Sequence, residues 1–187
     1  MSMPRDTAIR AVVRHRGGAI VAATYQAAFD LMRVDPNPLN YLSIGAMGQA
    51  SSHGLGLALG RPDKKVIVLD GDGSLLMNLG TLVTIAGAAP TNLVHLVFVN
   101  GCYEANGGHP LPAPVDFAGI ARAAGIGDAS AFDTLLAFEA ALPGLLSRPG
   151  PVFAALQIVP GEPSPMDYDT IHGAETRRMF RATLAAV

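Results

Sequence analysis

The stretch that decides the fold is Val66-Ile67-Val68-Leu69-Asp70-Gly71-Asp72-Gly73-Ser74, in the first half of a 187-residue chain. Its first four residues are aliphatic without alternation, as expected of a strand whose two faces are both covered. The glycines on either side of Asp72 allow a tight turn and a close approach of the backbone, and Ser74 is predicted to begin the next helix. The stretch therefore predicts a strand, a turn and a helix in a parallel α/β sheet.

Four similar apolar runs repeat this pattern, and each is followed by a segment compatible with a helix. Alternation of strands and helices is typical of a doubly wound fold. We therefore expect an α/β, doubly wound, mostly parallel sheet with helices on both faces, formed by a single domain over 1–187. The predicted strands cover 19–23, 41–44, 66–69, 93–99 and 152–159, and the predicted helices cover 4–15, 25–34, 48–60, 75–88, 116–124, 133–147 and 174–186.

Charged residues are scarce, since Lys, Arg, Asp and Glu make up 15% of the chain, against roughly a quarter in ordinary soluble domains. The net charge of −2, without a Lys/Arg cluster, argues against nucleic acid or an anionic membrane as a partner. The apolar runs are shorter than the ~18 residues of a membrane span. The N-terminus lacks the pattern of a signal peptide, which predicts a cytoplasmic protein. So low a charge indicates that another chain covers part of the surface, in a homo- or hetero-oligomer.

Two polar residues, Asp72 and Asn100, follow neighbouring predicted strands at the edge where parallel sheets bind ligands. A carboxylate, an amide oxygen and a carbonyl from the turn after Asn100 are hard ligands suited to Mg²⁺, which would retain waters and diphosphate oxygens. The N–H groups of the helix near Ser74 suit the same anion. The dinucleotide-binding fingerprint is not met, because leucine replaces its third glycine. Gly-Asp-Gly alone is also compatible with a simple strand-to-helix turn.

The segment Gly71-Asp72-Gly73-Ser74, with Asn100-Gly101 one helix and one strand later, resembles the signature of thiamine diphosphate-dependent enzymes. The resemblance implies that Asp72, Asn100 and the backbone carbonyl of Cys102 hold the Mg²⁺ ion that binds the cofactor's diphosphate. The usual Asn-Asn pair of the family is Val99-Asn100 here, which leaves the ligand residue in place.

A second segment, Ser43 to Leu57, is similar to the part of this family that holds the aminopyrimidine ring. The resemblance implies that the carbonyl of Gly45 binds the 4′-amino group and that Met47 forces the cofactor into its V-shaped conformation. It also implies a diphosphate contact at Thr24. Considered alone, Met47 is equally compatible with a gap-filling methionine. Over about 19–159, the chain most resembles sulfopyruvate decarboxylase β subunits and the matching domain of phosphonopyruvate decarboxylases.

The resemblance also implies a partner. Thiamine catalysis needs an acid that protonates the aminopyrimidine, and in the family this acid is a glutamate on a separate pyrimidine-binding domain. A chain of 187 residues has room only for the diphosphate-binding domain. The resemblance thus implies a pyrimidine-domain subunit that supplies the glutamate, and a small 2-oxo acid as substrate. The alternatives are the equivalent half of an acetolactate synthase-like enzyme or a 2-oxoacid oxidoreductase, and a non-catalytic cofactor-binding module.

His109 and Glu104 are the candidate catalytic residues beside the expected cofactor. His109 is expected to meet substrate or to transfer a proton, with a solvated loop histidine as the alternative. Glu104 is expected either to bind substrate or to cap its turn, and the cap is preferred. The single cysteine, Cys102, has no nearby base in the sequence, so its backbone oxygen matters more than its sulfur.

Overall fold

A six-stranded parallel sheet forms the centre of the protein in this computed structural model, which describes residues 3–159 and 164–186. A two-stranded antiparallel hairpin (β5 and β6) follows the fourth strand. The strands are Ile20–Ala23 (β1), Asn40–Tyr41 (β2), Val66–Gly71 (β3), Leu93–Val99 (β4), Cys102–Tyr103 (β5), His109–Pro110 (β6), Asp128–Phe132 (β7) and Val152–Gln157 (β8). The order in the large sheet is β2-β1-β3-β4-β8-β7, and all its neighbouring strands pair in parallel.

Successive residues of the central strands point to opposite faces of this sheet. Because these residues are apolar, both faces need to be buried, and helices cover both. Val21 and Ala23 belong to one buried apolar cluster, whereas Ile20 and Ala22 belong to a second. The predicted doubly wound α/β fold is therefore confirmed. The helices are Arg5–His15 (α1), Tyr25–Val34 (α2), Ala50–Gly60 (α3), Asp72–Leu76 (α4), Gly80–Ala88 (α5), Phe117–Ala123 (α6), Leu135–Ser147 (α7), Tyr168–His172 (α8) and Ala174–Ala186 (α9), with a 3₁₀ turn at Glu104–Asn106. Among the described residues, none of these helices has both the length and the apolar character needed to cross a bilayer.

Local sequence signals set several helix ends. The side chains of Asp116 and Thr134 accept hydrogen bonds from the backbone N–H groups of Gly119 and Ala137, which caps α6 and α7. Helix α5 ends at Ala88, and the C-cap residue Ala89 adopts a left-handed φ of 47° immediately before a proline.

The prediction of one continuous helix over 75–88 is wrong, because two helices, α4 and α5, occupy this region. Helix α4 begins at Asp72 rather than at the predicted Ser74. At the break, the side chain of Asn78 donates a hydrogen bond to the carbonyl of Gly48, at 2.9 Å. The break thus connects this region to the loop that contains Met47.

Edge elements also differ from the prediction. Strand β7, hairpin β5–β6 and helix α8 were not predicted, the strand predicted over 41–44 is the two-residue β2, and the strand predicted over 152–159 ends at Gln157. Strand β7 pairs on one side only, and its residues are mostly half-buried. An edge strand does not need the continuous apolar run by which the central strands were recognised.

The sheet order creates a crevice between β1 and β3. From β1 the chain continues to β2 on one side, whereas from β3 it continues to β4 on the other. In open α/β sheets, ligands bind outside the carboxyl ends of the strands at such a switch point. Thr24 follows β1 and Asp72 follows β3, so both residues lie at this crevice.

Candidate functional site

A cleft opens at the switch point, and most of the predicted site residues line it. Gly45 and His109 are not among its lining residues, and both are exposed. The predicted residues that the cleft brings together are Thr24, Met47, Gly71, Asp72, Gly73, Ser74, Asn100, Cys102 and Glu104.

Asp72 is a buried carboxylate at the floor of this cleft, with 2% of its surface exposed. Its Oδ1 accepts the N–H of Gly73 at 2.7 Å, and its Oδ2 accepts the N–H groups of Asn100 and Gly101 at 3.0 and 2.7 Å. Burial raises the pKa of the Asp72 carboxyl above its usual value, against the lowering effect of these three donors. Within the described residues it has no ion-pair partner. A buried carboxylate without a cationic side chain beside it fits a site for a bound cation.

Asn100 lines the same cleft as this carboxylate. Its Oδ1 accepts the N–H of Cys102 at 3.0 Å, and its Nδ2 donates to Oε2 of Glu104 at 2.9 Å. The described residues hold no cluster of three or more His, Cys, Asp or Glu side chains suited to a metal. A divalent ion here would therefore rely on Asp72, on amide and backbone oxygens, and on ligand oxygens, which is a donor set that Mg²⁺ accepts.

Thr24 offers a second unmatched polar group. It is 4% exposed, and its Oγ1 has no hydrogen-bond partner among the described residues. It is the N-cap residue of the ten-residue helix α2, whose first residues also line the cleft. Tyr25 begins α2, at the predicted start of this helix, with a left-handed φ of 47°. The N-terminus of a helix and a free hydroxyl together suit an anion.

The two glycines beside Asp72 serve different purposes, and neither makes a left-handed turn. Gly71 has a φ of −106°, and a Cβ there would meet no atom within 4 Å. A Cβ on Gly73 would come within 2.6 Å of the ring of Tyr103. The tight strand-to-helix turn predicted from the sequence is present, since β3 ends at Gly71 and α4 begins at Asp72, but it uses no left-handed glycine. Gly73 instead permits close packing of α4 against β5, and Gly71 leaves open space above the backbone in the cleft.

Ser74 holds the loop that carries Met47. Its Oγ accepts the backbone N–H of Gly48 at 3.0 Å, while Asn78 binds the carbonyl of the same residue. Position 48 favours glycine, because its φ of 80° is left-handed. The loop is therefore held through the N–H and the carbonyl of Gly48. The side chain of Met47, the residue before Gly48, lines the cleft.

Arg5 is the cleft residue that sequence reasoning missed. Arg5 is 6% exposed, and its guanidinium binds Oε2 and Oε1 of Glu104 at 2.5 and 3.3 Å, and Oδ2 of Asp30 at 2.7 Å. Burial opposes the charge on Arg5, but the bonds to both carboxylates outweigh it and raise the pKa of the guanidinium. The preferred prediction that Glu104 caps its turn is wrong, because its carboxylate forms this ion pair. No sequence signal connects two residues that are 99 positions apart.

The remaining candidates play smaller parts in the geometry. Burial, with the nearby carboxylates of Glu104 and Asp72, raises the pKa of the Cys102 thiol, which argues against a nucleophilic thiolate. The thiol donates to Oδ1 of Asn100 at 3.4 Å. His109 lies in β6, opposite Tyr103, and points to no partner in the cleft.

Comparison with known proteins identifies the family. Residues 20–155 match the model of the thiamine pyrophosphate enzymes, C-terminal TPP binding domain. The chain belongs to this family. Thiamine pyrophosphate is the compound called thiamine diphosphate above. The matched residues include the whole signature from Gly71 to Asn100, whereas Arg5 on α1 precedes them.

Several relatives are decarboxylases. The chain is 38% identical over 187 residues to a phosphonopyruvate decarboxylase of Streptomyces viridochromogenes, covering 97% of this chain and 47% of the relative. It is 42% identical over 133 residues to a sulfopyruvate decarboxylase subunit beta of Methanothermobacter thermautotrophicus, covering 71% of this chain and 69% of the relative. The chain therefore spans about half the length of the phosphonopyruvate decarboxylase.

Solved structures agree on the fold. A benzoylformate decarboxylase from Polynucleobacter necessarius matches with a TM-score of 0.67 and 20% identity, over 86% of this chain and 34% of that one. A chain from Mycobacterium smegmatis matches with a TM-score of 0.73 and 23% identity, over 86% of this chain and 32% of that one. At these identities the comparison establishes the α/β fold.

Proposed function

We propose that this chain, as a single diphosphate-binding domain over 1–187, is the β subunit of a thiamine diphosphate- and Mg²⁺-dependent 2-oxo acid decarboxylase. The observation that carries the proposal is the pairing, at one switch point, of a buried carboxylate without a counterion and a buried hydroxyl without a partner among the described residues. The buried carboxylate of Asp72 suits a metal ion. The buried hydroxyl of Thr24 suits the diphosphate that the ion would help to hold. The names of the relatives direct the choice of reaction.

Each cleft residue then has a role toward the cofactor. Asp72, the amide oxygen of Asn100 and the carbonyl of Cys102 would hold Mg²⁺, while Thr24 and the first turn of α2 would bind the diphosphate. The carbonyl of Gly45 would bind the 4′-amino group. When bound, thiamine diphosphate supplies an electron-accepting centre at which a 2-oxo acid loses carbon dioxide.

Met47 and Gly71 would shape the space around the same cofactor. The Met47 side chain would support its bent conformation from the loop fixed by Ser74. The open space above Gly71 would allow the diphosphate to approach the backbone. Gly73 would contribute by keeping α4 close to Tyr103.

The charges of the cleft favour a partner subunit. The acids that line it are Asp70, Asp72 and Glu104, and each already accepts hydrogen bonds from the protein. The lining cation, Arg5, is bound to Glu104 and Asp30. We therefore infer that a pyrimidine-domain partner supplies the glutamate that protonates the cofactor. The same partner would bind the sulfonate or phosphonate of a sulfopyruvate- or phosphonopyruvate-like substrate.

The test is calorimetric titration of the full chain with thiamine diphosphate in the presence of Mg²⁺. We expect Asp72→Ala to abolish binding, because the metal loses its one carboxylate from this chain. Asp63→Ala, which removes an exposed carboxylate paired with Arg61, is the control and should bind like wild type. Unchanged affinity in Asp72→Ala would overturn the proposal.

Decarboxylation distinguishes the proposed enzyme from the alternatives. With a pyrimidine-domain partner added, the wild-type chain should release carbon dioxide from sulfopyruvate or phosphonopyruvate. Transfer of the acyl group to a second 2-oxo acid would instead indicate an acetolactate synthase-like enzyme. Cofactor binding without turnover in the presence of such a partner would indicate a cofactor-binding module.

A further inference from the structure

Glu104 is held by three hydrogen bonds within the protein. Its Oε2 accepts from Nη1 of Arg5 at 2.5 Å and from Nδ2 of Asn100 at 2.9 Å, and its Oε1 accepts from Nη2 of Arg5 at 3.3 Å. A two-pronged contact between a guanidinium and a carboxylate fixes direction as well as distance. The carboxylate is therefore held in one orientation, with one oxygen turned toward Asn100.

That orientation decides which end of the Asn100 amide faces which neighbour. An ionised carboxylate only accepts hydrogen bonds, so the NH₂ end of the amide must face Glu104. The oxygen end then faces the opposite way, where the N–H of Cys102 donates to it at 3.0 Å. A rotated amide would oppose oxygen to oxygen at Glu104 and donor to donor at Cys102.

The cation behind Glu104 is itself immobile. Arg5 is 6% exposed, and its Nε donates to Asp30 at 2.7 Å. Asp30 is buried and also accepts the hydroxyl of Ser164. The guanidinium consequently cannot turn away from Glu104 without giving up its hydrogen bond to the buried Asp30, whose other cationic neighbour, Arg33, is 3.9 Å away.

We propose that Arg5 and Glu104 form a positioning pair that presents the amide oxygen of Asn100 to the metal ion. Glu104 is thus a positioning residue, not an acid that meets the substrate. The inference rests on the proposed function, because it takes Asn100 as a ligand of the ion. It goes further by assigning the orientation of that ligand to a helix, α1, that lies outside the residues matched to the family.

The experiment measures the dissociation constant of Mn²⁺, by electron paramagnetic resonance, for the full chain with saturating thiamine diphosphate. Loss of a residue that orients a metal ligand typically weakens metal binding by roughly 10- to 100-fold, and we expect this loss in Glu104→Ala. In Glu104→Gln, one side-chain oxygen can still accept from both Arg5 Nη1 and Asn100 Nδ2. We therefore expect Glu104→Gln to weaken binding less than the lower end of that range.

Glu139→Ala is the matched control. It breaks the Arg14–Glu139 ion pair, which is also 2.5 Å long and uses the same helix α1, about 14 Å further along by helical rise. We expect its Mn²⁺ affinity to equal that of wild type. Thermal unfolding without metal is recorded for every variant, because a merely structural role of Glu104 would lower the unfolding temperature and leave the affinity unchanged.

The outcomes separate the two proposals. Wild-type affinity in Glu104→Ala, or equal losses in Glu104→Ala and Glu104→Gln, would overturn the positioning role while leaving the cofactor site in place. Absence of Mn²⁺ binding by the wild-type chain with thiamine diphosphate and the pyrimidine-domain partner would overturn the proposed function itself. A loss in Glu104→Ala that Glu104→Gln largely restores supports the positioning pair.

Discussion

Thr24 is the residue whose environment makes the sharpest prediction. Its buried hydroxyl has no partner among the described residues, and such a group costs about 1–3 kcal/mol. We expect Thr24→Val to raise the stability of the free chain by about 1 kcal/mol, since valine has nearly the same shape. The same change should weaken cofactor binding by about 1.5–3 kcal/mol, the contribution of a hydrogen bond to a charged group.

If the Thr24 hydroxyl serves cofactor binding, Thr24→Val should increase the stability of the free chain and decrease its affinity for the cofactor. Calorimetry with thiamine diphosphate and Mg²⁺ measures the affinity, and thermal unfolding measures the stability of the free chain. Thr84→Val, which changes an exposed threonine on α5, serves as the control. A Thr24→Val variant that is less stable and binds normally would show that the hydroxyl serves the fold alone.

Sequence reasoning at the residue scale worked where local order determines the contact. Asp72 and Asn100 end neighbouring parallel strands, so their meeting could be predicted, and the backbone N–H of Asn100 lies 3.0 Å from the Asp72 carboxylate. Their roles as metal ligands stay a prediction. Arg5 could not be found in this way, because its bond to Glu104 depends on how α1 packs beside the sheet and leaves no pattern in the sequence.

At the scale of elements, the break between α4 and α5 matters for the cofactor loop. The Asn78 side chain at this break binds the Gly48 carbonyl, and we expect Asn78→Ala to loosen the loop that carries Met47. The hydrogen bond contributes about 0.5–1.5 kcal/mol to stability. The free energy of thiamine diphosphate binding should become less favourable by a similar amount. Amide hydrogen exchange at 45–49 should rise in the same variant.

Asn37→Ala is a suitable comparison, because it removes a side-chain bond to the N–H of Leu39 in the loop before β2. It should leave both the affinity and the exchange at 45–49 unchanged. Wild-type exchange in the loop of Asn78→Ala would contradict the proposed connection between the helix break and Met47.

Several elements were predicted with their observed bounds, among them the mostly exposed helix α9, in which Phe180 is the one residue described as buried. The helices predicted over 25–34 and 174–186 match α2 and α9, and the strand predicted over 93–99 matches β4. Asn78 and Gly80, both poor helix formers, lie at the helix break and were a sequence signal for it. The bond from the Asn78 side chain to a distant loop could not be predicted from the sequence. Strand β7 escaped prediction because half of its environment is solvent.

At the scale of the whole molecule, low charge predicts that part of the surface is covered. Met77, 61% exposed, adjoins the Met47 loop, since a Cβ on Gly48 would lie 3.2 Å from its Cβ. We expect the chain alone to self-associate through this side of the cleft, because exposed apolar surface beside a binding site favours contacts between chains. Sedimentation velocity should show oligomers that Met77→Gln reduces.

Leu136→Gln provides the comparison for this measurement. Leu136 is 77% exposed, but it lies on α7, which packs against α1 and belongs to the other face of the sheet. Its substitution should not change the sedimentation of the chain. A stable monomer at all concentrations would contradict the expectation, and so would association that depends on Leu136 rather than Met77.

The position of Arg5 has a consequence for exchanging this domain between enzymes. The match to the family model begins at residue 20, so a chimera assembled from the matched residues alone would carry Glu104 without Arg5, whose guanidinium we propose aligns it. Its signature motifs would be complete, yet the asparagine could rotate between two orientations. If Arg5 and Glu104 position Asn100 as proposed, helix α1 has to be transferred together with the motifs for the chimera to bind the metal ion as tightly as the parent chain does.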